Sequence, residues 1–143
     1  MEVPLVDLRT EYEEIRHEID KAISMVIRDT AFVGGKYVNQ FEEEFADFCH
    51  TKYCIGVGNG TDALYIALRA LGVGKDDRVI TAANSFIATS EAITMTGAQV
   101  VFVDCDPVTY NIDVEKVVSA IRPQTKAILP VHLYAVSYTH LRA

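Results

Sequence analysis

An α/β fold, a mostly parallel sheet with flanking helices, is what this chain of 143 residues predicts. Two observations carry that expectation. From residue 52 onward, short and nearly continuous apolar runs alternate with helical segments, the pattern of strand–helix–strand units whose strands are covered on both faces. Gly72, Gly74 and Gly97 fall just beyond predicted helix ends, where a left-handed cap is needed.

Residues 11–28 read as an amphipathic helix, with Tyr12, Ile15, Ile19, Ile23, Val26 and Ile27 on one stripe and Glu13, Glu14, Arg16, His17, Asp20 and Lys21 opposite. Thr10 is its expected N-cap, and Glu13 completes a capping box. Phe32-Val33-Gly34-Gly35 breaks the helix. A second helix is expected over 36–49, with Val38, Phe41, Phe45 and Phe48 inward and the acidic run Glu42-Glu43-Glu44 as a solvated face. Tyr53 to Val57 reads as a strand and 61–71 as a helix with Leu64, Leu68 and Leu71 inward. Arg78 to Thr81 is a strand, 85–96 a helix, Gln99 to Val103 a β-branched strand, 113–121 a helix, and Ala127 to Val131 a strand. The organisation this suggests is an N-terminal helical segment over 1–50 and a partial α/β domain over 51–134.

Half the residues are apolar and the net charge is −7. An acidic balance without a basic run argues against nucleic acid or an anionic membrane as partner. No apolar stretch approaches the ~20 residues of a membrane span. The N-terminus carries no secretory signal, so the expected location is cytoplasmic. Cys49, Cys54 and Cys105 make neither a disulfide framework nor a metal-ligand spacing. Without a secretory signal Asn59-Gly60-Thr61, formally a glycosylation sequon, is set aside.

The most informative segment is Gly56-Val57-Gly58-Asn59-Gly60-Thr61-Asp62-Ala63-Leu64, which follows a predicted strand and opens a helix. A helix start offers unpaired backbone N–H groups at the positive end of its dipole, and glycine lets that backbone approach an anion. With the Thr61 hydroxyl added, the turn suits a phosphate monoester. The alternative is a tight strand-to-helix turn that Thr61 merely caps. Gly58-x-Gly60-x-x-Ala63 also fits a loose dinucleotide fingerprint, but that fold wants an acid at the end of its second strand. Here that strand ends in Thr81-Ala82-Ala83-Asn84. The Lys of a P-loop is absent as well, which leaves a single phosphate as the better reading.

Six blocks in order then carry a resemblance: Phe32-Val33-x-Gly35-x-x-Val38; Gly58 to Leu64; Asp77-x-Val79-Ile80-Thr81; Asn84-Ser85-Phe86-Ile87-Ala88-Thr89; Val103-Asp104-x-Asp106-Pro107-x-Thr109-Tyr110-Asn111; and Thr125-Lys126-Ala127-Ile128-x-Pro130-Val131-His132-Leu133-Tyr134. From about Val3 to Tyr134 the chain resembles the DegT/StrS sugar-nucleotide aminotransferases. The resemblance implies the N-terminal part of the large domain of a fold-type-I enzyme dependent on pyridoxal 5′-phosphate (PLP), incomplete in this chain. It implies that Gly60, Thr61 and Asp62 hold the cofactor phosphate and that Phe86 stacks on the pyridine ring. It places the Phe32 to Gly35 loop near the active site at a homodimer interface, and treats Asp104 and Asp106 as structural. His132, after an apolar strand, is read as a core or rim residue.

What the resemblance implies for function is amino transfer, from glutamate, to a nucleotide-linked keto-sugar. The lysine that bonds the cofactor, the Asp facing its ring nitrogen and a nearby Gln would all lie beyond residue 143; none of the six lysines present matches the catalytic position. An isolated chain is therefore expected to be inactive and poorly soluble. Ala135 stands where the family has Gly, and residues 135–143 read as a non-native tail. Two other readings stay open: a regulatory or sensory protein of the same fold, and a nucleotide-binding oxidoreductase domain.

Overall fold

The computed structural model describes residues 6–133; the expectations for Tyr134 and for the tail at 135–143 lie outside these residues. The chain divides into two compact units, Met1–Gly56 and Val57–Ala143.

The first unit contains helices α1 (Leu8–Arg28) and α2 (Lys36–Phe48). α1 starts at Leu8 because Asp7, not Thr10, is its N-cap. One Asp7 oxygen accepts the Thr10 N–H at 3.1 Å and the other the Thr10 hydroxyl at 2.8 Å. Thr10 thus spends its hydroxyl inside the helix, and the expected Thr10–Glu13 capping box does not form. The apolar stripes are present at helical spacing, but they are not inward. Ile15, Ile19 and Ile23 on α1, and Val38, Phe41, Phe45 and Phe48 on α2, are all exposed, because no third element of this unit covers them among the described residues. Ala46 is its one buried apolar side chain there.

A carboxylate closes the loop between the two helices. Asp29 accepts from Lys36 Nζ at 2.6 Å and from the Tyr37 hydroxyl at 2.7 Å. The intervening chain turns through left-handed conformations at Thr30, Gly34 and Gly35. The N-cap of α2, Gly35, offers no side chain, so Asp29 is the anion tied to that helix start, through Lys36 and Tyr37. The Lys36 and Tyr37 hydrogen bonds lower the Asp29 carboxyl from 3.8 to about 2, and the same Asp29 contact raises the Tyr37 phenol. A depressed carboxyl stabilises the fold above its ordinary titration range, and that contribution is lost as pH falls through about 2. Replacing Asp29 with Asn is expected to move the Tyr37 phenol down toward its ordinary value. Ultraviolet absorbance titration of the tyrosines checks this; an unchanged tyrosine profile would contradict the contact.

The second unit contains α3 (Gly60–Ala70), β1 (Arg78–Ala82), α4 (Ile87–Met95), β2 (Gln99–Val103), α5 (Val114–Ala120) and β3 (Thr125–Leu129). The three strands form a parallel sheet in the order β2-β1-β3. Alternation along the central strand serves two cores. Val79 packs with Leu68 of α3, Val73, Ile93 of α4 and Ala98; Ile80 packs with Val103 and with Val117 of α5. Fully buried Thr81 donates its hydroxyl to the Leu129 carbonyl at 2.8 Å, which ties β1 to β3. Gly72 and Gly97 take the left-handed conformation after helix ends; Gly74 does not.

The expected strand from Tyr53 to Val57 is absent. The segment is extended chain whose backbone is satisfied by side chains instead of a ladder: Glu42 accepts the Gly56 N–H at 2.7 Å, and the Thr51 hydroxyl donates to the Tyr53 carbonyl at 3.2 Å. Glu42 is for the same reason half-buried and not part of a wholly solvated acidic face.

Candidate active site at the carboxyl ends of the strands

The site is set by helix direction. Leu68 late in α3 and Ile93 late in α4 share a cluster with Val79, near the start of β1, and Ala98, just before β2. Both helices therefore run back along the sheet, and both begin at its carboxyl edge, where open α/β sheets bind ligands. The turn before α3 and the turn before α4 carry the four residues named from sequence: Gly60, Thr61 and Asp62 on the first, Phe86 on the second.

Asn59 is the N-cap of α3, in extended conformation, and its side-chain oxygen accepts the Asp62 N–H at 2.9 Å. Its amide nitrogen donates to the Asp62 carboxylate at 2.9 Å. The cap is thus Asn59 and not Thr61, so the Thr61 hydroxyl does not have the capping role that the sequence left open for it. Among the described residues, the N–H groups of Gly60 and Thr61 and the Thr61 hydroxyl make no hydrogen bond. These are three donors at the positive end of a helix. A Cβ built on Gly60 would meet nothing within 4 Å, so the space beside this backbone is open. Gly58 is different: a Cβ there would sit 2.9 Å from Asp62 Oδ2 and push that carboxylate off Asn59. Asp62 therefore acts inside the turn, through Asn59. Replacing Asn59 with Ala removes the cap and is expected to cost about 1 kcal/mol of stability. Chemical denaturation of the intact protein checks this, and an unchanged midpoint would contradict it.

Phe86 is the N-cap of α4 and is 77% exposed at the same edge of the sheet. It is not core of a helix spanning 85–96; the helix starts one residue after it. On the neighbouring strand, Asp104 accepts from the Cys105 N–H at 2.9 Å and lies 3.5 Å from Lys116 Nζ, and both contacts hold its carboxyl below the usual range. Asp106 accepts the Thr109 N–H and hydroxyl and the Val108 N–H, and is lowered by those bonds. Both acids are engaged in holding the chain's course. His132 is exposed beyond the end of β3. Sequence reasoning missed Asn59 and Asn84. The signal for the first was present, a capping residue three positions ahead of an acid.

The family model described as the DegT/DnrJ/EryC1/StrS aminotransferase family matches residues 13–139. The chain belongs to this family. It is 48% identical over 134 residues to a "Pleiotropic regulatory protein" of Geobacillus stearothermophilus, covering 94% of this chain and 36% of the relative. It is 45% identical over 132 residues to a UDP-2-acetamido-2-deoxy-3-oxo-D-glucuronate aminotransferase of Pseudomonas aeruginosa, covering 92% and 37%. Among solved structures, S. venezuelae DesV superposes with a TM-score of 0.89 at 42% identity, covering 98% of this chain and 38% of that one. NtdA of Bacillus subtilis, with bound cofactor PMP, gives a TM-score of 0.81 at 39% identity, covering 93% and 31%. The chain thus spans little more than a third of the relatives it matches. The family confirms the fold class: a mixed α/β chain with a parallel sheet, corresponding to part of a fold-type-I aminotransferase.

The cofactor the family implies is PLP, and the residues fit it. A phosphate monoester needs several N–H or O–H donors without internal acceptors, and Gly60 and Thr61 supply three. The ring needs an apolar face, and Phe86 is an aromatic side chain open to solvent at the same edge.

Proposed function

We propose that the intact protein transfers an amino group, from glutamate, to a nucleotide-linked keto-sugar with PLP as cofactor. It would work as a cytoplasmic homodimer. The observation that carries this reading is the start of α3, where Gly60 and Thr61 offer three donors without acceptors at the carboxyl edge of a parallel sheet. When bound, the cofactor supplies the electron sink for moving a proton and an amino group.

The residues of this chain bind and orient. The Gly60 and Thr61 N–H groups hold the phosphate with the help of the helix dipole. Thr61 adds its hydroxyl from the same turn. Asp62 keeps Asn59 in the capping position, so the first turn of α3 is already formed before any ligand arrives. Phe86 would lie against one face of the cofactor ring, a contact of about 0.5–1.5 kcal/mol that would fix the ring plane. None of these side chains is assigned the movement of a proton, and none of the six lysines of this chain matches the position of the lysine that bonds the cofactor in the family it resembles. The 143-residue chain alone is therefore expected to show no turnover with PLP, glutamate and a nucleotide keto-sugar. The intact protein is expected to turn over, with a near-visible absorbance band that bleaches when glutamate is added. Turnover by the isolated chain, or none by the intact protein, would contradict the proposal.

A second reading, a regulatory protein of the same fold, is favoured by the names of two relatives, the 48%-identical one and a 44%-identical sensory transduction protein of Saccharopolyspora erythraea. The same absorbance experiment separates the two, because a purely regulatory protein would not bleach on addition of an amino donor. The oxidoreductase reading has no support in the site, since β1 ends in Ala82 followed by Ala83 and Asn84, with no acid to hold a ribose.

A further inference from the structure

A strained residue lies close to the turn that carries Phe86. Tyr110 has a φ of 58°, a left-handed conformation that bulky side chains avoid. Strain of this kind persists where the surroundings dictate it, and it is worth asking what it achieves. Here Asp106 dictates it. The Asp106 carboxylate accepts from Val108 and Thr109, its carbonyl accepts the Tyr110 N–H at 2.9 Å, and its N–H donates to the Asn111 carbonyl at 2.8 Å. The loop from 106 to 111 is closed on itself, and its Tyr110 carbonyl accepts the side-chain amide of Asn84 at 3.1 Å.

Asn84 sits two residues before Phe86, in the turn between β1 and α4. The strand end of that turn is fixed by Ala83, whose N–H donates to the Val103 carbonyl at 2.9 Å. The helix end is not fixed by a side chain, for Phe86 is an N-cap without a side-chain cap bond. Ser85 bonds only to its neighbour, the Phe86 carbonyl, at 3.3 Å. Phe86 is too exposed for packing to orient it. Among the described residues, the Asn84–Tyr110 bond is thus the one hydrogen bond that ties the middle of the turn to another part of the sheet edge.

We propose that Asn84 and the Tyr110 carbonyl are positioning groups for Phe86, setting the plane on which the aromatic ring of a bound cofactor lies, with the left-handed Tyr110 as the means by which the carbonyl reaches Asn84. The inference rests on the proposed function through the ring-stacking role of Phe86. It assigns no catalytic role to Asn84 or Tyr110, which act through Phe86.

The test uses the intact protein and PLP, with the dissociation constant, the induced circular dichroism of the bound cofactor and Tm as readouts. Asn84→Asp keeps the shape of the side chain and removes the donor. It is expected to raise the dissociation constant about 2- to 12-fold, the weakening of the ring contact that Phe86 makes, and to change the induced dichroism, with Tm lowered only as far as the loss of one exposed hydrogen bond allows. Asn84→Ala is expected to do the same. Tyr110→Gly keeps the carbonyl and relieves the strain, so it is expected to retain wild-type affinity and dichroism while Tm stays the same or rises. Wild-type affinity and dichroism in both Asn84 variants would overturn the inference while leaving the proposed function standing. Absence of PLP binding by the unaltered intact protein would overturn the proposed function and this inference with it.

Discussion

Replacing Ile80 with alanine is expected to destabilise the intact protein by about 2–5 kcal/mol, the largest effect of any single truncation argued from this structure. Ile80 lies on the central strand, paired with Val101 on one side and Ile128 on the other, and is fully buried. Its side chain fills the space between the sheet and α5, against Val103 and Val117. The strand cannot shift to refill that space, because Thr81 is pinned to the Leu129 carbonyl next door. A cavity therefore remains, and its cost adds to the lost transfer energy of the side chain. The control is Val114→Ala at a side chain 69% exposed, expected to stay within about 0.5 kcal/mol of the parent. Denaturant midpoints at unchanged m-value measure both. An Ile80→Ala protein as stable as the Val114→Ala protein would contradict the packing described.

Replacing Gly60 with proline is expected to leave α3 intact and to weaken PLP binding by the intact protein about 10- to 150-fold. Gly60 is the first helical residue, the position where proline is favoured because its N–H has no intrahelical partner. The preceding residue must be extended, and Asn59 already is, at φ −167° and ψ 175°. The added ring enters open space. The substitution deletes one donor, and the ring Cδ that replaces the N–H stands where the anion would approach, which can only add to the loss. A hydrogen bond to a charged group contributes about 1.5–3 kcal/mol, which gives the stated range. Unchanged Tm with weakened binding supports the phosphate role; unchanged binding contradicts it.

Much of this architecture was legible in the sequence because local signals agreed with tertiary context. The second unit shows this best: the β-branched run Gln99–Val103 and the apolar run around Ile80 became parallel strands, with helices between them, as the alternation predicts. Capping was ambiguous where two polar residues competed. Asp7 and Thr10 both suit an N-cap, and only the geometry gives the position to the carboxylate, which accepts both donors of Thr10. Tyr53 to Val57 carries a strand's residue types, yet strand formation needs a partner, and Glu42 and Thr51 take up its backbone groups instead. The turn at Gly58–Asp62 was readable because glycine spacing before a helix has few uses. Phe86 needed more, since its exposure at the start of α4 depends on where that helix begins. The Asn84–Tyr110 tie spans 26 residues and depends on a left-handed tyrosine that no sequence pattern announces.

The most direct measurement compares the affinity of the unaltered intact protein for PLP and for pyridoxal, which differ by the phosphate alone. If the first turn of α3 grips that group through the Gly60 and Thr61 donors, PLP should bind at least roughly 100-fold more tightly, as expected for more than one hydrogen bond to a charged group. Equal affinity for the two would contradict the account.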